Sequence, residues 1–226
     1  MSEPMAIALP FIVDQSLAGT CFIAATDGKK VVIVTALHLI GSGTQFSLGL
    51  PEHGGDMGQL QRYPISEFKV IPISLVVAEP LLDIALLTFD LSPSDIVPPA
   101  PKFCSSINEI SIGDEALVVG YPWAVLGSCL ETAHPCHVSA KGLRKHVLDV
   151  GRAEIVLSIH SHPGSSGSPV VRKADGKIIG VLRGALAPPG LLAIGNLPIG
   201  TDSTVTFATS AHQITPLITS ILSSAP

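Results

Sequence analysis

Short runs of β-forming residues separated by turn signals restrict the fold of this sequence more than any other feature. The clearest pair, Thr20–Ala25 and Lys30–Thr35, flanks an Asp27-Gly28 dipeptide, which supplies the positive φ angles of a tight hairpin turn. A second dipeptide of this kind is Asp175-Gly176. The other predicted strands are Glu67–Pro72, Ser74–Ala78, Ile84–Phe89, Ala116–Gly120, His137–Ala140, Glu154–Ser158, Val170–Lys173, Lys177–Leu182 and Thr204–Ala208. The pattern predicts an all-β protein.

The composition agrees with many strands and turns and excludes several other classes of protein. The 226 residues include 21 Gly and 19 Pro, and charged residues make up only 14%. A hydrophobic fraction of 46% excludes a disordered chain, which would combine low hydrophobicity with high net charge. The net charge of -5 offers no basic surface to a phosphate backbone, so we expect no nucleic-acid partner.

One proline-rich segment, Leu91–Lys102, divides the chain, because it contains four prolines and no periodic pattern. After the last predicted strand, apolar residues recur with the spacing of one helical face. They are Ile214, Leu217, Ile218, Ile221 and Leu222. We therefore predict a β unit over residues 1–95, a second β unit over 96–208 and a C-terminal helix within 209–226.

The sequence gives no signal for membrane insertion or export. Its most apolar stretches, Met5–Val13 and Leu81–Phe89, have nine residues each, whereas a membrane-spanning helix needs about 20. Glu3 stands where a signal peptide would carry basic residues. We expect a cytoplasmic protein that does not bind a membrane.

The four cysteines raise the question of a metal site or a disulfide. Cys21 and Cys104 stand in apolar surroundings, so we expect them to be buried thiols. Ligand types that bind zinc are grouped at Cys129, His134, Cys136 and His137. A loop can carry such residues by chance, and disulfides are rare in a reducing compartment. We predict no metal, no cofactor and no disulfide.

Three short segments carry the residue types that nucleophilic catalysis at serine requires. His38 ends the apolar run that begins at Val34, Asp83 precedes a second apolar run, and Ser166 lies between Gly164 and Gly167. A serine nucleophile needs a base, a carboxylate that orients the base, and backbone N–H groups that stabilise the oxyanion. Each segment alone is a weak signal. Their joint occurrence in the order His, Asp, Ser points to this chemistry.

These segments resemble the active-site signatures of chymotrypsin-fold serine proteases, TA-x-H, D-I-A-L-L and G-x-S-G-x-P. The chain is most similar to bacterial Deg/HtrA-type proteases, because residues 110–122, 138–142, 176–190 and 205–208 also follow their pattern. The resemblance implies two six-stranded antiparallel β-barrels with the active site between them and a short C-terminal helix. It places His38 and Asp83 on the first barrel and Ser166 on the second.

Carried over residue by residue, the resemblance implies that His38 is the general base, Asp83 orients it and Ser166 is the nucleophile. The oxyanion hole would be formed by Gly164, Ser165 and Ser166. The residues implied to bind substrate are His160, Leu182, Arg183 and Gly184. The implied activity is that of a trypsin-like serine endopeptidase, which cleaves polypeptides through an acyl-enzyme and needs no cofactor.

The sequence departs from the family pattern at a few positions. Ser168 replaces the second glycine of the usual Gly-Gly-Pro ending, and Leu37 replaces a smaller residue before His38. We expect neither change to remove the catalytic groups. We also expect no PDZ-like domain after the helix, so no regulatory or oligomeric partner is carried over from the resemblance.

Parts of the sequence also fit two other functions. An α/β-hydrolase would use Ser166 with Asp202 and His212, but its G-x-S-x-G motif requires Gly at the position of Ser168, so we reject it. A chymotrypsin-fold module that binds peptides without cutting them stays open as the alternative, although the presence of all three triad residues favours the enzyme.

The side chain preferred before the cleaved bond also stays open. Ala185 and Leu182 favour an apolar one, whereas His160 or Arg183 would favour an acidic one.

Overall fold

The computed structural model describes residues 8–51, 68–92, 97, 99–126, 129–145, 151–185, 193–194, 197–198 and 205–223. Most of these residues lie in β-strands, and one α-helix, α1 (Thr215–Ser223), follows the last strand. Within the described ranges, no helix is both long enough and apolar enough to cross a membrane.

The first six strands close into an antiparallel barrel in the order β1-β2-β3-β6-β5-β4. Their bounds are β1 (Ala8–Val13), β2 (Ser16–Thr26), β3 (Lys30–Ala36), β4 (Phe46–Pro51), β5 (Phe68–Glu79) and β6 (Ile84–Asp90). Alternate residues of each strand fill the interior, such as Leu9 and Phe11 of β1 or Val31 and Ile33 of β3. The interior is therefore a packed apolar core.

The second barrel has the order β10-β11-β14-β9-β8-β7. Its strands are β7 (Glu115–Gly120), β8 (Thr132–Lys145), β9 (Gly151–Ser158), β10 (Pro169–Arg172), β11 (Ile178–Ala185) and β14 (Val205–Ser210). Between β11 and β14 lies a two-stranded sheet of β12 (Ala193–Ile194) and β13 (Leu197–Pro198).

The two barrels pack against each other and against α1 through a shared apolar cluster. Strands β3 and β6 are apolar on both faces, because one face fills the first barrel and the other faces this cluster. The shared cluster includes Phe22, Val32, Val34, Ile84, Leu86, Ile178, Val181, Ile214, Ile218 and Ile221. The ends of β3 and β6 are thereby held next to the second barrel.

The structure confirms the predicted all-β class, the two six-stranded barrels and the C-terminal helix. Four strands, β1, β4, β12 and β13, were not predicted. The runs predicted as Glu67–Pro72 and Ser74–Ala78 form one strand, β5, which pairs with β4 as far as Ile73 and with β6 from Ser74 onwards. A proline is tolerated where only one side of a strand is paired. Glu67, Thr204, Asp202 and parts of the predicted linker lie outside the described residues.

Candidate active site

His38 and Asp83 meet because β3 and β6 are paired where the two strands approach the second barrel. Ala36, the last residue of β3, pairs with Ile84, the first residue of β6. His38 lies in the 3₁₀ turn Leu37–Leu39 that follows β3, and Asp83 immediately precedes β6. The backbone N–H of Leu37 donates to the carbonyl oxygen of Asp83 at 3.0 Å, which fixes the two segments side by side.

Both carboxylate oxygens of Asp83 accept hydrogen bonds from His38. The backbone N–H of His38 donates to Oδ1 at 2.9 Å, and Nδ1 of the ring lies 2.9 Å from Oδ2. A carboxylate is only an acceptor, so this contact holds the imidazole proton on Nδ1 and leaves Nε2 able to accept a proton. Asp83 has a φ of +55°, a left-handed conformation that aspartate tolerates better than most residues.

The pKa of Asp83 is lowered although the residue is partly buried. Burial by itself raises the pKa of the carboxyl group, but hydrogen bonds from the His38 ring and backbone and from Arg183, with the charge of His38, outweigh it. Asp83 is therefore ionised at neutral pH, as a group that stabilises an imidazolium must be.

The loop that carries Ser166 is attached to strand β2 of the first barrel. The backbone N–H of Thr20 donates to the Ser166 carbonyl at 3.0 Å, and the Thr20 hydroxyl donates to the Gly164 carbonyl at 2.8 Å. The same hydroxyl accepts the N–H of Tyr121 at 3.0 Å. Thr20 was not predicted as a site residue, because its partners lie more than 100 residues away in the sequence.

The peptide bond before Gly164 is held in one orientation. The N–H of Trp123 donates to the Pro163 carbonyl at 2.6 Å, and a planar trans peptide then directs the Gly164 N–H the opposite way. A side chain at residue 164 would lie 2.5 Å from the Tyr121 carbonyl oxygen. No described residue accepts a hydrogen bond from the N–H of Gly164 or Ser166, whereas the N–H of Ser165 donates to His162. Two backbone donors of this loop are thus without an acceptor among the described residues.

Arg183 connects Ser166 to the Asp83–His38 pair. The Ser166 hydroxyl donates to the Arg183 carbonyl at 2.9 Å, and Nε of Arg183 donates to Oδ2 of Asp83 at 3.2 Å. Among the described residues, the Ser166 hydroxyl has no hydrogen bond to His38. A serine hydroxyl moves between staggered rotamers, and catalytic hydrogen bonds often tighten only when substrate binds.

The residues predicted to bind substrate occupy different environments. His160 is exposed on the segment before the loop. Leu182 is fully buried in the core of the second barrel, and its backbone hydrogen-bonds the Gly167–Ser168 turn. The Arg183 side chain points to Asp83 and Glu154. Outside residues 183–185, no described atom lies within 4 Å of where a side chain at Gly184 would begin.

Three arginines converge on one buried glutamate behind Asp83. Oε1 of Glu154 accepts from Nε of Arg152 at 2.8 Å and from a terminal N–H of Arg183 at 2.9 Å, while Oε2 accepts from Nε of Arg144 at 3.0 Å. Arg152 also donates to the carbonyl of Leu81, two residues before Asp83. This cluster was not predicted. In the sequence, only the placement of Arg152 and Glu154 at alternate positions of one strand hints at this cluster. The hint can be interpreted only once the pairing of Arg144 with Arg152 is known.

The residues considered as zinc ligands do not form a site in the described part of the chain. No group of three or more His, Cys, Asp or Glu residues there is arranged to hold a metal ion. Cys136 and His137 are consecutive on β8, so their side chains leave opposite faces of the strand. All four cysteines are free and buried, and burial raises the pKa of Cys136 to about 11.

Comparison with known proteins agrees with this architecture. A family model described as the trypsin-like peptidase domain matches residues 19–181, a range that includes His38, Asp83 and Ser166. No curated protein gives a significant match.

Several solved protease structures are similar in fold. The HtrA-type protease AlgW with a decapeptide has a TM-score of 0.69 and 18% identity, over 99% of this chain and 66% of AlgW. AlgW with a tripeptide has a TM-score of 0.67 and 21% identity, over 97% and 61%. The inactive serine-to-alanine mutant of Rv3671c from M. tuberculosis has a TM-score of 0.65 and 19% identity, over 98% and 89%. The chain thus spans under two thirds of AlgW, and the predicted resemblance to Deg/HtrA-type protease domains is confirmed.

Proposed function

This chain belongs to the trypsin-like peptidase domain family, and on that premise we propose that it is a serine endopeptidase with the triad His38, Asp83 and Ser166. The observation that carries the proposal is the Asp83 carboxylate, which accepts both the backbone N–H and the ring Nδ1–H of His38. Arg183 links this carboxylate to Ser166, because its Nε donates to Oδ2 of Asp83 and its backbone carbonyl accepts from the Ser166 hydroxyl.

The geometry suits acyl transfer. Nε2 of His38 removes the proton of the Ser166 hydroxyl as Oγ attacks the peptide carbonyl, and Asp83 stabilises the imidazolium that forms. The N–H groups of Gly164 and Ser166 donate to the oxyanion of the tetrahedral intermediate. His38 then returns the proton to the leaving amine, and water hydrolyses the acyl-enzyme by the same route.

The proposed substrate is a polypeptide. The likeness to AlgW, whose structures were solved with a tripeptide and a decapeptide, supports this class of substrate. The described residues leave open space at Gly184 and an exposed side chain at His160, which is room for an extended chain beside the nucleophile loop. The net charge of -5 gives no reason to expect a nucleic-acid substrate.

A fluorophosphonate probe, which reacts with activated serines, tests the proposed function. We expect the wild-type protein to be labelled and Ser166→Ala to remain unlabelled. Ser220→Ala, on the exposed side of α1, is the matched control and keeps full labelling, because the hydroxyl bonds to the Leu217 carbonyl of the same helix. Labelling of Ser166→Ala at the wild-type rate would refute the assignment of the nucleophile.

The second candidate function is a peptide-binding module that does not cut its ligand. It is favoured by one observation, the Ser166 hydroxyl donating to the Arg183 carbonyl rather than to His38. A wild-type protein that binds extended peptides but is neither labelled nor able to cleave them would support this function over the protease.

A further inference from the structure

Arg183 contributes its side chain to the carboxylate that orients His38. Oδ2 of Asp83 accepts from Nε of Arg183 at 3.2 Å and lies 2.9 Å from Nδ1 of His38. With the His38 backbone N–H on Oδ1, three donors hold the carboxylate. The Arg183 side chain is only 23% exposed, so its charge is partly shielded from solvent.

The other end of the Arg183 guanidinium is fixed in the second barrel. A terminal N–H donates to Glu154, which is 8% exposed and also bonds Arg152 and Arg144. Arg152 in turn donates to the Leu81 carbonyl of the first barrel. The planar fork of Arg183 therefore bridges the two barrels between two carboxylates, a geometry that lysine does not reproduce.

We propose that Arg183 is a positioning residue that holds the Asp83 carboxylate against His38, and that loss of its positive charge favours the protonated imidazole of His38. This inference rests on the proposed protease function and assigns to Arg183 a role other than contact between its side chain and substrate.

The sign of the effect follows from the charges that face the pair. Asp83 attracts a protonated imidazole and Arg183 repels it. The described charges behind them are Glu154, Arg152 and Arg144, so three guanidinium groups accompany two carboxylates. Without the positive charge of Arg183, the negative charge of Asp83 is balanced mainly by His38. The protonated form of the His38 imidazole is therefore favoured. The acidic limb of the pH–activity profile then moves to higher pH.

The size of the shift can be estimated from the contacts. Nδ1 of His38 and Nε of Arg183 share one oxygen, so they lie no more than about 6 Å apart. His38 is partly exposed, so solvent screens its interaction with the Arg183 charge. We therefore expect the acidic limb to shift by about one pH unit, which is a tenfold change in the protonation equilibrium of His38.

The test compares Arg183→Gln, Arg183→Lys and Arg144→Gln. We expect Arg183→Gln to move the acidic limb of kcat/KM up by about one pH unit and to lower kcat with little change in KM. Arg183→Lys keeps the charge and restores the limb, while kcat recovers only in part. Arg144→Gln removes a half-exposed arginine that bonds Glu154 but not Asp83, and it leaves the limb unchanged.

A second measurement is independent of turnover. The His38 imidazole is titrated by NMR in a Ser166→Ala background, with and without Arg183→Gln. An upward shift of the titration midpoint supports the positioning role even if the protein is never labelled by the probe. An unchanged midpoint overturns it even if Ser166 proves to be the nucleophile. A rise in KM confined to acidic peptides, with an unmoved limb, would also overturn it, because that result assigns the Arg183 side chain to substrate binding.

Discussion

Replacing Gly167 by alanine would insert a methyl group between the nucleophile loop and the first barrel. A Cβ atom at this position would lie 2.0 Å from the carbonyl oxygen of Thr20 and 2.5 Å from Oγ1 of Thr35. The Thr20 carbonyl already accepts the Thr35 hydroxyl at 2.7 Å within paired strands, so neither atom can give way alone. The φ of +84° at Gly167 is also unfavourable for alanine.

The expected loss of stability has two parts. A left-handed φ costs a non-glycine residue roughly 1–2 kcal/mol, and an extra methyl group in a packed site costs about 1–3 kcal/mol. The free energy of unfolding should fall by about 2–5 kcal/mol. For a chain of this size Tm falls by about 2–4 °C for each kcal/mol, which gives a decrease of about 4–20 °C. Thermal unfolding followed by circular dichroism measures it.

Gly176→Ala is the matched control. Gly176 also has a positive φ, +70°, but apart from its two chain neighbours no described atom lies within 4 Å of a Cβ placed there. This variant meets only the backbone cost of roughly 1–2 kcal/mol. Equal Tm values for the two variants would refute the tight contact between the nucleophile loop and β2.

Two further changes test the electrostatics. Asp83→Asn keeps one acceptor and replaces the other by a donor, so it cannot accept all three N–H groups that Asp83 accepts. We expect kcat/KM to fall on the order of 10⁴-fold with an unchanged far-ultraviolet circular dichroism spectrum, and near-normal activity would contradict the role of Asp83. Burial raises the pKa of Glu131 from 4.5 to about 8. Between these two pH values the folded state keeps a proton that the unfolded state releases. The protein therefore loses stability as the pH rises from about 4.5 to about 8. Glu131→Gln removes this loss of stability, so its Tm should exceed that of the wild type by several degrees at pH 8 but not at pH 4. The same Tm difference at both pH values would contradict the raised pKa.

The motifs of the proposed triad could be found in the sequence because each depends on its own few residues. His38 and Asp83 stand at the ends of apolar strands, and Ser166 stands among glycines, so local patterns alone mark them. The C-terminal helix was predictable for the same reason, since the spacing of its apolar residues reflects one buried face.

Features that depend on long-range packing could not be predicted in this way. The direction of the Arg183 side chain is set by Asp83, 100 residues away, and by Glu154 on a neighbouring part of the second barrel. Strand β4 contains Gly49 and ends at Pro51, residues that weaken a strand pattern. It forms because β1 and β5 pair with it on both sides and close the barrel.

The central claim is tested most directly by locating the residue that a fluorophosphonate labels and by asking whether that labelling requires His38. The intact protein is treated with a fluorophosphonate, and the adduct is located by peptide mass spectrometry in the wild type and in His38→Ala. We predict a single adduct on Ser166 that His38→Ala abolishes, because the hydroxyl needs this base to become nucleophilic. An adduct on another serine, or labelling of Ser166 at the same rate without His38, would contradict the proposed triad.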